Sequence, residues 1–127
     1  MSDRPLASSR ADQRWFDYSE GSQLSPAVTA EGGYPLESMA AGFVRSEAGH
    51  RFAWDCPNEE TLYIVEGRAE ITGNGHTAVA EAGEFIYMPK GVYLEYYFPI
   101  ETLTVWVASP RSVVEGVVAD LEAGEHR

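Results

Sequence analysis

The seven residues Trp54-Asp55-Cys56-Pro57-Asn58-Glu59-Glu60 set a thiol and a carboxyl four positions apart, with an indole two positions earlier. Thiolates, imidazoles and carboxylates at such spacings hold transition metals, and a desolvated carboxyl alone moves protons. Cys56 and Glu60 make two donors, one short of the three that catalytic zinc takes from protein. Pro57 and Trp54 carry no useful side-chain lone pair. The chemistry left to Glu60 is that of a general acid or base whose pKa rises wherever burial disfavours its charged form. Tyr96 is the candidate donor to a developing oxyanion, and His50 the candidate proton shuttle at a pocket rim. No metal and no other cofactor is expected.

The elements that must position these groups are strands. LESMAAGFVR, HRFAWDC, TLYIVEG, RAEITG, HTAVAEAG, EFIYMP, YLEYYFP and ETLTVWVAS are short segments rich in β-branched and aromatic residues, mostly parted by Gly, Pro or Asn. Asn74-Gly75 predicts a tight hairpin with His76 beside its tip. Side chains alternate across a strand, and small barrels turn alternate residues inward. One face therefore collects His50, Phe52, Trp54 and Cys56, a second Glu60, Leu62 and Ile64, and a third Leu94, Tyr96 and Phe98. Tyr63, Tyr93, Glu95 and Tyr97 face away. The expected substrate-binding wall is Phe52, Trp54, Cys56, Leu62, Ile64, Leu94 and Phe98, an aromatic and aliphatic cup suited to a small, largely apolar molecule.

Structural roles stand beside these chemical ones. Glu60 also suits bonding to backbone N–H groups or to a tyrosine. Cys56, with no cation next to it in sequence, reads as a small buried hydrophobe. Trp54 serves core and pocket wall equally, and His50 also reads as a strand-start residue at the surface. His76 and His126 are expected in solvent. Glu59 and Glu95 are expected on a solvated or interface face.

The chain of 127 residues is sized for one domain. Its expected divisions are a flexible arm over 1–14, an all-β barrel over 15–110, and a short C-terminal helix and tail over 111–127. In the tail, Val113, Val114, Val117, Val118 and Leu121 recur at helical spacing and Ser112 with Glu115 forms a capping box. The net charge of −11 repels polyphosphate and anionic lipid, so neither nucleic acid nor a membrane is an expected partner. The N-terminal residues lack a continuous apolar segment, which makes the cytoplasm the default compartment. A single cysteine leaves stability to packing and self-association.

Two stretches resemble the paired motifs of the cupin superfamily. Glu60 is followed by six residues and Gly67, and Gly83 by five residues, Pro89-Lys90-Gly91, Val92-Tyr93 and Leu94. On that pattern Trp54 and Cys56 stand at the two histidine positions of the first motif and Leu94 at that of the second, while Glu60 keeps the acidic ligand. A narrower resemblance, to the EutQ-type ethanolamine-utilisation cupins, covers roughly residues 15–110. It is carried by Ala41-Gly42-Phe43, FAW, Glu59-Glu60, Val65-Glu66-Gly67, GEFIYMPKG, Glu95, Pro99 and LTVWVASP. It implies a conical jelly-roll barrel of six to eight strands, usually dimeric, in proteins of bacterial ethanolamine breakdown that similarly lack the histidines and to which acetate kinase activity is ascribed. Phosphoryl transfer wants cationic clamps and a magnesium site, whereas the nine basic residues are scattered and no Gly-rich phosphate loop is present, so a kinase is the less expected reading. Two functions follow: metal-independent acid–base catalysis of the lyase, isomerase, dehydratase or cyclase type on Glu60, or a non-catalytic homodimer that binds a metabolite or serves as an accessory factor.

Overall fold

A computed structural model describes residues 6–9, 14–19, 21–29, 38–110, 116–117 and 119–120. Ten strands run through them: β1 (Phe16–Ser19), β2 (Ser22–Val28), β3 (Ala40–Ser46), β4 (His50–Asp55), β5 (Glu59–Glu66), β6 (Arg68–Gly73), β7 (His76–Glu81), β8 (Phe85–Met88), β9 (Tyr93–Phe98) and β10 (Thr102–Ser109). They form two antiparallel sheets, one ordered β1-β2-β3-β10-β5-β8 and the other β4-β9-β6-β7. The all-β jelly roll expected from the sequence is present, with ten strands rather than six to eight. No helix among the described residues is long and apolar enough to cross a membrane.

The alternation of side chains builds the core between the sheets. Along β10, Thr104, Trp106 and Ala108 are buried while Val107 is exposed, and along β8 Ile86 and Met88 are buried while Phe85 and Tyr87 are exposed. Leu62 and Ile64 of β5, Leu94, Tyr96 and Phe98 of β9, and Ile71 of β6 complete the apolar interior. The chain reverses between β6 and β7 through Asn74 and Gly75, at φ 50° and 74°, as the hairpin expectation requires. At Gly42 a Cβ would press on the Ser25 carbonyl and the Trp106 ring, so β2 and the Trp106 indole approach each other only over a bare backbone. The four described residues beyond 110 have helical backbone; the rest of the expected tail helix, and most of the expected arm, lie outside the described residues.

Candidate functional site

The two motifs meet at one end of the barrel. β4 pairs with β9 in an unbroken register that sets Trp54 opposite Leu94 and Phe52 opposite Tyr96. The short link from β4 to β5 is stitched to the turn before β9 by Cys56 N–H to the Val92 carbonyl at 3.0 Å and by Gly91 N–H to the Cys56 carbonyl at 2.8 Å. Within the link the Cys56 thiol donates to the Asn58 carbonyl at 3.0 Å, and the Asn58 carboxamide donates from Nδ2 to Glu60 Oε1 at 3.0 Å. Asn58 is almost fully buried, so its amide needs such a partner.

Glu60 is the second residue of β5, and its half-buried side chain turns inward. Burial raises its pKa from 4.5 to about 7, with the Asn58 bond pulling in the opposite direction. The carboxyl is thus poised to give or take a proton near neutrality. Burial also raises the Cys56 thiol to about 11, with the backbone of Asn58 lowering it and the Glu60 charge raising it further. A thiol so placed stays protonated and is no nucleophile. The Tyr96 phenol is held well above its ordinary range, first by burial and then by Glu60. Its oxygen accepts from Trp54 Nε1 at 3.3 Å and its proton points to Met88 Sδ at 3.4 Å.

A small, partly open cavity of about 30 Å³ lies against Glu60, walled by Phe52, Leu62, Tyr96 and Phe98 and by Ser22, Val44 and Thr104. Phe52 and Tyr96 meet edge to face at 5.5 Å between centroids, and Tyr96 and Phe98 lie at 6.5 Å. Five expected residues, Phe52, Glu60, Leu62, Tyr96 and Phe98, therefore converge on one space. Trp54, Cys56, Ile64 and Leu94 share the inward faces but pack beside the cavity instead of lining it. The open cup drawn from alternation is nearly filled by its own rings, because side-chain volume, which parity ignores, closes it. His50 is not at a rim above Glu60. It is buried at the start of β4, the end remote from Cys56, with its ring stacked on Phe98 at 6.3 Å and close to Gly21.

Asn58, Met88, Ser22, Val44 and Thr104 were not among the residues expected at the site. Asn58 shares the parity of Glu60, and a buried amide beside a carboxyl is a readable signal. Thr104 and Val44 enter from β10 and β3, whose place against β4 and β9 depends on sheet-to-sheet packing. A larger open hollow, of about 640 Å³, lies among Trp15, Asp17, Arg45, Glu47, Glu66 and Glu101, a solvent-facing groove without the Glu60 chemistry.

The divalent ion that cupin folds commonly hold does not fit these side chains. Around its position stand an indole, a protonated thiol, a leucine and one carboxyl, and no group of three or more His, Cys, Asp or Glu able to hold a metal occurs among the described residues.

The family of ethanolamine utilisation protein EutQ matches residues 11–114. Acetate kinase EutQ of Salmonella typhimurium is 32% identical over 87 residues, which are 68% of this chain and 36% of that protein. The chain spans little more than a third of the length of the curated relatives it matches. The crystal structure of an ethanolamine utilization protein Q from Salmonella typhimurium LT2 superposes at a TM-score of 0.66 with 30% identity, over 76% of this chain and 79% of that one. An RmlC-like cupin from Shewanella frigidimarina, 17% identical, shares the fold at a TM-score of 0.69 over 87% of this chain and 95% of its own.

Proposed function

The chain belongs to the EutQ family of cupins, and from that membership we propose that its barrel interior is a metal-independent acid–base site in which Glu60 moves a proton on a small organic molecule. The observation that carries the reading is a single carboxyl, its pKa pushed up to about 7 by burial, that faces a small space walled by aromatic rings. Asn58 orients the acid and keeps its charged form accessible. Tyr96, a phenol that stays protonated, points its proton at the weak Met88 Sδ acceptor and in this reading turns it to charge developing on a substrate oxygen. Proton transfer at carbon, as in a lyase, isomerase, dehydratase or cyclase, is the reaction class that needs only these groups. Phosphoryl transfer, the activity named for the longer relatives, is less well supported: no Lys or Arg lines the cavity that Glu60 faces.

The working unit in this reading is a cytoplasmic homodimer. Phe85 is 67% exposed and Tyr87 58% on the edge strand β8, and Val107, 38% exposed, lies two strands in on β10, aligned with Tyr87 through Thr61 of β5. An apolar face of that kind next to an edge with no partner strand among the described residues is suited to a second copy. Phe85→Glu is expected to yield a monomer by light scattering; a wild type that is itself monomeric counts against the dimer.

Incubation of small amines, ketones and hydroxy acids in D2O tests the chemistry. The wild type is expected to introduce deuterium at a carbon of at least one compound, and Glu60→Gln to abolish it. Equal exchange by both proteins, or by neither, contradicts an acid–base role and leaves binding without catalysis as the better account.

A further inference from the structure

The polar groups around the interior cavity are unequal in kind, and the imbalance bears on what can occupy it. Thr104 Oγ1 donates its proton to the Val44 carbonyl at 3.2 Å, so toward the cavity it can only accept. The Tyr96 proton is directed at the weak Met88 Sδ acceptor, and the Ser22 hydroxyl shares with that of Ser46 a 2.6 Å hydrogen bond in which either can donate. Asn58 Nδ2 is engaged by Glu60 itself. The wall thus presents a carboxyl, hydroxyls with few protons to spare and the rings of Phe52, Tyr96 and Phe98, with no cationic side chain among the lining residues.

Anions are poorly served by such a wall. A carboxylate or phosphate would lie beside Glu60 with few donors and no countercharge, in a space where desolvation is expensive. A group rich in donors and carrying positive charge is served well. An ammonium has three N–H donors and no acceptor, pairs with a carboxylate, and is attracted to the negative faces of aromatic rings. The net charge of −11 adds a long-range field that concentrates cations near the molecule.

We propose that the interior cavity is a recognition site for a small organic ammonium ion, held between the Glu60 carboxylate and the rings of Phe52, Tyr96 and Phe98. The inference rests on the reading of the interior as the functional site and narrows it to one substrate class. Size follows from the cavity. Its 30 Å³ is room for about two or three non-hydrogen atoms, since one water needs roughly 10–15 Å³ on the same measure. A ligand of that size binds no more tightly than about the millimolar range.

The test uses methylammonium, methanol and formate, three probes of matched size and different charge, titrated at constant ionic strength into the full chain. The Trp54 indole N–H and the Met88 methyl serve as NMR reporters, because both side chains touch the Tyr96 hydroxyl at the cavity wall. Methylammonium is expected to shift both signals saturably, with an affinity at least about tenfold above methanol or formate, as one buried charge-assisted contact implies. Glu60→Gln is expected to bring methylammonium down to the level of methanol. Phe52→Leu, which keeps the carboxyl and removes a ring face, is expected to weaken methylammonium about threefold or more with methanol unchanged, and decides the matter if the Glu60 variant does not fold. Saturable binding of all three probes alike, or of methanol or formate alone, overturns the ammonium inference while leaving the interior a site. So does methylammonium binding that neither substitution weakens. Reporters that respond to none of the three overturn the interior site together with the inference.

Discussion

Replacing Glu60 by Gln should stabilise the protein at neutral and alkaline pH, and the gain can be worked out from the structure. The folded carboxyl titrates at about 7 against an ordinary value of 4.5. An acid whose folded-state pKa is raised favours folding in its protonated form. Below about pH 4.5 folded and unfolded chains both carry it neutral and it costs nothing. As pH rises from 4.5 to 7 the unfolded chain releases the proton while the folded chain retains it, and stability is lost progressively. Above 7 the folded carboxyl is charged as well, and the loss levels off. At about 1.4 kcal/mol for each pH unit, the plateau is about 3 kcal/mol. Glutamine matches the volume, accepts the Asn58 hydrogen bond through its own oxygen and carries no charge. The variant should therefore equal the wild type near pH 4.5 and exceed it by about 3 kcal/mol at pH 8. Urea unfolding followed by tryptophan fluorescence at both pH values measures the gap as the difference in midpoint multiplied by the slope. A variant less stable than wild type at pH 8, or a gap that does not change with pH, refutes the assignment of Glu60 to a desolvated interior.

Three other perturbations probe separate parts of the account. Asn58→Ala removes the donor to Glu60 while leaving the backbone carbonyl that accepts from Cys56, and should move the Glu60 titration upward by about one pH unit, read by NMR. Cys56→His combined with Leu94→His supplies, with Glu60, the three donors a divalent ion needs; the double variant should bind about one equivalent of zinc by calorimetry, and a folded variant that binds none contradicts the placement of these positions around one point. Gly42→Ala forces either β2 or the Trp106 indole to shift and should cost about 2 kcal/mol or more, seen as a lowered Tm; an unchanged Tm argues against the close approach of Ser25 and Trp106.

What the sequence made legible has a common physical origin, the strict alternation of side chains along strands. The register of β4 with β9 is unbroken, so reading Trp54, Phe52, Leu94, Tyr96 and Phe98 as inward-facing holds residue by residue. Asn74-Gly75 was legible because few residues tolerate two consecutive positive φ values. The distance between motifs was legible because Glu60 and Leu94 stand at fixed offsets from Gly67 and Pro89-Lys90-Gly91. Three features depend on what lies across the barrel and were not. His50 has the inward parity expected of it, yet parity does not say which end of a strand faces the acid. Thr104, Val44 and Ser22 come from strands whose opposition to β4 and β9 is a tertiary fact. The cavity volume follows from how Phe52, Tyr96 and Phe98 tilt against one another, and no spacing rule encodes a tilt.

The most direct test of Glu60 as an interior acid poised near neutrality is its own titration. With glutamate labelled at the side-chain carboxyl carbon, and Glu60→Gln identifying the signal by its loss, the carbon shift followed from pH 3 to 9 gives the midpoint. A midpoint near 7 is the predicted result. A midpoint near 4.5, the value of a carboxyl open to water, contradicts both the burial of Glu60 and the function built on it.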